Sequence, residues 1–325
     1  MAIPENNTRV GLALGSGAAR GWAHIGVLRA LEEMGLRPGV IVGTSVGSLV
    51  AAAYAMDRLD ELEDWVRGLR RMDVWRLVDT SFSGGGVMQG NRLLEAIGEQ
   101  IGDAQIEELD VTYAAVATDL DTGQEVWIKK GSLLQAVRAS SGLPGLFAPV
   151  RHDQQWLVDG GVVNPVPVSL CRALGADLII GVNLNGHLSK MSAFRRRQQH
   201  RERRETSRSD GSESGWTNPE RWGELVEGLL SALRDHGQGG EPGFFDVMAT
   251  SVNIMQDRIT RSRMVGDPPM VLLSPDLGHL QLMDFHRAGN AIDIGYEAAM
   301  RAEEQFDDLK AERDARAARL REREE

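Results

Sequence analysis

One cysteine, Cys171, stands in a chain of 325 residues, which excludes an internal disulfide and any cysteine-built metal cluster. It lies in the apolar, helix-like stretch Val168 to Leu174, where a small buried hydrophobe is the expected role. Such sparing use of cysteine is compatible with the cytoplasm. There is no run of 18 or more apolar residues, so the sequence offers no spanning helix. Residues Met1 to Thr8 are polar and the apolar run after them is short and glycine-broken, so no secretory signal is read. Basic excess is lacking too. With 36 Lys and Arg against 47 Asp and Glu, the net charge of -11 argues against a general nucleic-acid partner, though it leaves room for a local basic patch.

What is there reads as an ordinary globular chain, 42% hydrophobic and 26% charged. Val10 to Leu14 is a strand-length apolar run, Gly15 to Gly21 a turn, and Trp22 to Met34 a helix closed by Gly35 and Pro38. Val40 to Val42 is a second buried strand, and Ser45 opens a helix of small residues, Val46 to Met56. An amphipathic helix over Asp60 to Leu77, the loop Ser83 to Gly86 and a helix from Asn91 to Ile101 follow. Thr112 to Thr118 and Glu125 to Ile128 are read as strands, Leu133 to Ala139 as a helix, and Trp156 to Val158 and Leu178 to Leu184 as strands. This alternation predicts an α/β fold with a mostly parallel central sheet and helices on both faces.

The organisation expected is a core over 9–185, a polar and disordered insertion over 186–220, helical completion of the same domain over 221–305, and a charged tail over 306–325. The insertion is low in apolar residues, and its basic first half (Arg195 to Arg201) reads as solvated linker, with anionic headgroups as the rival. Helices are expected over Arg221 to Arg234, Phe245 to Arg263 and from Met283, with a strand at Met270 to Leu273. The last 20 residues are expected to carry that last helix into solvent.

Chemistry concentrates in three places. Gly43-Thr44-Ser45-Val46-Gly47 fits the G-x-S-x-G elbow, a strand-to-helix turn so tight that glycines must flank the serine. Gly15-Ser16-Gly17-Ala18-Ala19-Arg20-Gly21 also joins a strand to a helix. A dinucleotide fingerprint would need glycine where Arg20 stands and an acidic residue after the second strand, so an oxyanion hole fits better. Arg20 would brace this loop or add positive potential. Asp159-Gly160-Gly161 ends a strand with glycines that let the carboxylate approach another loop, and Asp159 could accept a proton from Ser45.

Seven histidines are present: His24, His152, His187, His200, His236, His279 and His286. A triad Ser45, Asp159, His279 can be written, but the elbow follows only the second strand, which is early for an α/β-hydrolase. Neither His279 nor His286 lies in a glycine-rich turn. A Ser-Asp dyad is preferred.

Four ordered segments resemble the patatin-like phospholipase family, in its bacterial and neuropathy-target-esterase branch. They are Gly11 to Leu28, Gly43 to Gly47, Ala139 to Val150, and Val158 to Gly161 with Asn164-Pro165-Val166-Pro167. The resemblance covers about residues 10 to 185, more weakly to about 305. It implies a three-layer α/β/α patatin-like fold and a lipid acyl hydrolase (phospholipase A, lysophospholipase or carboxylesterase) that needs no calcium or other cofactor. It places the nucleophile at Ser45, the base at Asp159, and oxyanion donors in the amides of Ser16, Gly17 and Ala18. Gly15, Arg20, Gly21, Gly43, Gly47, Gly160 and Gly161 would support them.

This chain departs from the family at Ser16, usually glycine, and often at Ala18. The alternative is therefore a catalytically weak regulatory or interaction protein. Expected partners are a lipid or acyl-ester substrate and a membrane touched peripherally. A homodimer is allowed but not argued. Met72 to Met88 reads either as a lid over an acyl groove or as a packed loop.

Overall fold

A computed structural model describes residues 8–77, 89–186 and 244–322 of the chain. Among these residues eight strands form one mixed sheet: β1 (Val10–Leu14), β2 (Val40–Thr44), β3 (Thr112–Asp119), β4 (Glu125–Ile128), β5 (Val150–His152), β6 (Gln155–Asp159), β7 (Leu178–Val182) and β8 (Val271–Leu273). Their order is β5-β6-β3-β2-β1-β7-β8, with β4 also on β3. Strands β3, β2, β1, β7 and β8 pair in parallel, while β4, β6 and β5 are antiparallel additions.

The helices are α1 (Ala23–Glu33), α2 (Val46–Ala55), α3 (Leu59–Gly68), α4 (Arg71–Arg76), α5 (Asn91–Ile101), α6 (Leu133–Ser140) and α7 (Val168–Ala173). Later in the chain come α8 (Phe244–Gly266), α9 (Ala288–Met300) and α10 (Glu303–Arg321).

Alternation along the strands sorts the core into two layers. Val10, Leu12, Leu14, Ile41, Tyr113, Ala115, Ala117 and Ile180 turn to the larger core with residues of α1, α2 and α9. Their neighbours Ala13, Val40, Val42, Ala114, Val116 and Ile179 turn to the other face, against Val168, Leu170 and Cys171 of α7. Period-two patterning with both faces apolar is what a covered parallel sheet requires. On the larger face α1 and α9 touch backbone to backbone. A Cβ on Gly26 would sit 1.9 Å from the Ile292 carbonyl oxygen, and one on Gly295 would sit 2.0 Å from that of Ala23.

Cys171 is buried against Gly11 and its thiol is pushed up to about 12 by burial. The native protein should therefore resist iodoacetamide at pH 8 over hours and react once denatured. Stoichiometric labelling of the folded chain, read by mass spectrometry, would contradict that placement.

Several expectations are corrected. The helix over Asp60 to Leu77 is two helices, α3 and α4, because the chain turns extended at Leu69. Strand β5 was not anticipated; it is short and half exposed, without an apolar run to mark it. The last helix does not run from Met283: a 3-10 turn at Phe285–Arg287 precedes α9, and the tail forms α10. Far from lying wholly in solvent, α10 buries Phe306 and Leu309 and packs against β8. Apolar residues at 302, 306 and 309 recur on one side, enough to dock a helix otherwise charged. The expected insertion beyond Gly186, the helix over Arg221 to Arg234 and residues 78–88 of the lid candidate lie outside the described residues. Among the described residues no helix is long and apolar enough to cross a membrane.

Candidate active site

The elbow begins where β2 ends. Ser45 has φ 57° and ψ -129°, a backbone region that costs a non-glycine residue about 1–3 kcal/mol. Its surroundings enforce this conformation. A Cβ on Gly43 would lie 2.3 Å from the Ser48 nitrogen, and one on Gly47 would lie 2.3 Å from the Leu14 carbonyl oxygen. The Ser45 N–H donates to Ser140 Oγ (2.9 Å), whose own hydroxyl donates to the Val116 carbonyl (2.6 Å). The Ser45 carbonyl accepts from the backbone N–H and the hydroxyl of Ser48 (2.8 and 2.6 Å). Ser140, within the resembling segment Ala139 to Val150, was not singled out from the sequence. Its contact to Ser45 spans 95 positions.

Strand register explains how Asp159 reaches Ser45. Strand β3 pairs with β2 through Val116, opposite Thr44, and with β6 from Ala117, opposite Asp159. Strand β4 pairs with Ala115 to Thr118 and overlaps both, so β2 and β6 must share the other edge of β3. Asp159 thus comes next along the edge just where β2 gives way to Ser45. The Asp159 backbone is fixed by the Thr118 hydroxyl on its carbonyl (2.9 Å) and by its own N–H on the Gly142 carbonyl (2.9 Å).

The Asp159 carboxyl is buried, 1% exposed, and burial pushes it up to about 6. A hydrogen bond from the Ser45 side chain and one from the Gly161 N–H (2.7 Å) pull the other way. A carboxylate so placed is a stronger base than one in water, yet still ionised at neutral pH.

The glycine loop leans on both. Gly47 leaves no room for a Cβ beside the Gly15 carbonyl, 2.7 Å away, and Gly21 none beside Val46 Cγ1, 2.0 Å away. Within the loop, Gly15 N–H donates to the Val182 carbonyl (3.0 Å) and Ala19 N–H to the Leu282 carbonyl (3.1 Å). The Ser16 N–H donates to the Pro165 carbonyl at 2.8 Å. This corrects the expectation that Ser16 supplies an oxyanion amide, since its N–H is already engaged. The cause is tertiary: the Asn164–Pro167 turn, brought in behind Asp159, presents that carbonyl. The amides of Gly17 and Ala18 have no backbone acceptor among the described residues. Ala18 has φ 48°, a second strained residue in the site.

Arg20 is a buried brace, 1% exposed. Its Nε donates to the Gly17 carbonyl (3.2 Å) and its Nη2 to Asn253 Oδ1 on α8 (2.8 Å). Burial lowers this guanidinium to about 10, at which it stays charged at neutral pH. Gly160 and Gly161 are equally confined: a Cβ would meet the Val116 carbonyl at 2.2 Å and Gln256 Nε2 at 2.4 Å, respectively.

None of the described histidines is a hydrogen-bond partner of Asp159 or Ser45. His24 is fully buried with Nε2 2.7 Å from the Gly15 carbonyl, and burial lowers it to about 4. His279 meets Asn290 Oδ1 (2.6 Å), His286 lies beside Arg71 (3.4 Å), and His152 beside Asp153. His187, His200 and His236 fall outside the described residues. Among the described residues no cluster of His, Cys, Asp and Glu is arranged to hold a metal ion.

An elbow serine facing a buried aspartate, beside a glycine loop and on a three-layer sheet, is the arrangement of a patatin-type protein. The patatin-like phospholipase model matches residues 12–172. The chain belongs to the patatin-like phospholipase family. It is 34% identical to an uncharacterised NTE family protein of Mycobacterium tuberculosis, over 93% of each chain. Over 54% of its length it is 35% identical to the lysophospholipase nte1 of Aspergillus fumigatus, of which it matches only 12%. A mouse patatin-like phospholipase domain-containing protein 6 is 34% identical over 54% of this chain and 13% of its own.

Proposed function

We propose that the protein hydrolyses acyl esters of lipids, as a phospholipase A, lysophospholipase or carboxylesterase, through a Ser45–Asp159 dyad and an acyl-enzyme. The observation that carries this reading is the strand register that sets buried Asp159 beside the strained, half-buried Ser45, with burial raising that carboxyl to about 6. The lysophospholipase name of one relative supports the substrate class.

In the first step the Ser45 oxygen bonds to the ester carbonyl carbon while its proton passes to Asp159. The carbonyl electrons move onto the oxygen, which takes hydrogen bonds from the Gly17 and Ala18 amides. Collapse breaks the bond to the leaving alcohol, which takes the proton from Asp159. Water then gives a proton to Asp159 and attacks the acyl-Ser45 carbonyl. Release of the fatty acid returns the proton to Ser45. The strained Ser45 backbone presents the oxygen without reorganisation, and Arg20 favours negative charge nearby.

The rival reading, a regulatory protein with little turnover, rested on Ser16 in the oxyanion loop. The Ser16 hydroxyl donates to Gln256 Oε1 at 3.0 Å, so its side chain is held by α8.

A fluorophosphonate probe tests the proposal together with a panel of phospholipid, lysophospholipid, monoacylglycerol and thioester substrates. Wild type should label and Ser45→Ala should not. Because Asp159 must be ionised to take the proton, labelling and turnover should rise with pH through a midpoint near 6 and then level off. An acid limb that persists unchanged in Asp159→Asn would remove Asp159 from the role of base.

A further inference from the structure

Helix α8 is turned inside out. A helix on a globular protein ordinarily buries its apolar stripe. Here Gln256, Asp257 and Thr260 are buried while Ile254 and Met255 stand more than half exposed. Buried polar groups are costly unless fully engaged, so the inner face of α8 asks for a reason.

For Gln256, the contacts supply one. Gln256 Oε1 accepts from the Ser16 hydroxyl (3.0 Å) and from Asn185 Nδ2 (2.9 Å), and all three residues are at least 95% buried. Asn253, one helical turn earlier, accepts from Arg20. Two residues of α8 thus hold the glycine loop on either side of Gly17 and Ala18, whose amides have no acceptor among the described residues. The same carboxamide borders the base: a Cβ on Gly161 would lie 2.4 Å from Gln256 Nε2 and 2.9 Å from Asp159 Oδ1. Asn185, just past β7, is fixed by its N–H on Asn183 Oδ1 (3.0 Å).

We propose that Ser16, Gln256 and Asn185 form a positioning network that aims the Gly17 and Ala18 amides, which makes Ser16 a working part of the loop and not a defect in it. The inference rests on the acyl-transfer reading above. Gln256 is its central positioning residue, acting on the chemistry through the loop.

The test uses the full chain and a short-chain p-nitrophenyl ester, with kcat and KM measured separately and thermal midpoints alongside. Ser16→Gly, Ser16→Ala and Gln256→Ala should each lower kcat about 10- to 100-fold, with KM changed less than about twofold, since a misaimed donor acts mainly on the transition state. Ser16→Ala with Gln256→Ala should fall no further than the worse single variant. Gln256→Glu keeps the acceptor oxygen but sets a second carboxyl beside Asp159, and should move the acid limb of kcat upward from its wild-type midpoint. A purely structural role would instead lower the thermal midpoint while leaving kcat per folded molecule near the wild-type value.

The network is overturned if Ser16→Gly matches or exceeds wild-type kcat, or if the losses multiply in the double variant. Failure of wild type to label or to hydrolyse any ester would instead sink the acyl-transfer reading, and the network with it.

Discussion

Asp159→Asn should lower turnover by about 10²–10⁴-fold while making the protein more stable at pH 8. The two effects share one cause. Asparagine fills the same space and can accept from the Gly161 N–H, but it cannot take a proton from Ser45. Removing a general base costs that range of rate, and the residual activity comes from the elbow and the loop amides. The sign of the stability change follows from burial. The folded state holds the Asp159 proton more tightly than the unfolded chain, with a pKa raised from 3.8 to about 6.

The contribution of this carboxyl to stability is therefore fully present below about 3.8 and is lost as pH rises through about 6. Above that, the ionised group costs on the order of 1–3 kcal/mol. Asparagine does not titrate and escapes the cost. Chemical denaturation of both proteins should show the variant ahead at pH 8 and the gap closing below pH 4. Equal stability at pH 8, with activity retained, would mean that Asp159 is neither strained by burial nor used as a base.

Gly43→Ala should cost on the order of 4–5 kcal/mol and abolish activity with it. The added methyl would lie 2.3 Å from the Ser48 nitrogen and 2.4 Å from the Gly47 carbonyl carbon and oxygen. These are backbone atoms at the start of α2, so no change of rotamer relieves the overlap. The chain can answer only by moving β2 away from α2 or by turning Ser45 out of its strained conformation. Either way the hydroxyl leaves Asp159. Gly123→Ala is a suitable control, because that glycine has φ 69° but open space around it, and only the backbone strain of about 1 kcal/mol should appear. A Gly43→Ala protein as stable and active as wild type would show that the elbow is looser than its contacts imply.

Much of the candidate site is legible in the chain before any fold is known, and the reason is local. An elbow needs glycine, serine and glycine at fixed spacing between a strand and a helix, because backbone sterics at one turn permit little else. The run from Gly43 to Gly47 states that requirement in five residues. The same holds for the short apolar runs that form β1, β2 and β7, and for the glycines after Asp159.

Where the sequence misled, the cause was distance along the chain. The family resemblance placed an oxyanion donor at the Ser16 amide, yet that N–H is held by the carbonyl of Pro165, far along the chain. Nothing in the sequence marks Gln256, because its hydrogen bond to Ser16 spans 240 positions. The tail looked wholly solvated by composition, yet a few apolar residues, Phe306 and Leu309 among them, dock it.

By itself, then, the sequence determined which residues could form a nucleophile, a base and a donor loop, since each depends on conformations set within a few bonds. Only the tertiary structure decided that Asp159 follows β2 along the edge of β3, that the Ser16 amide is taken by Pro165, and that the Ser16 hydroxyl is held from α8. Those outcomes depend on strand register and on hydrogen bonds between remote segments, which no short stretch of chain encodes.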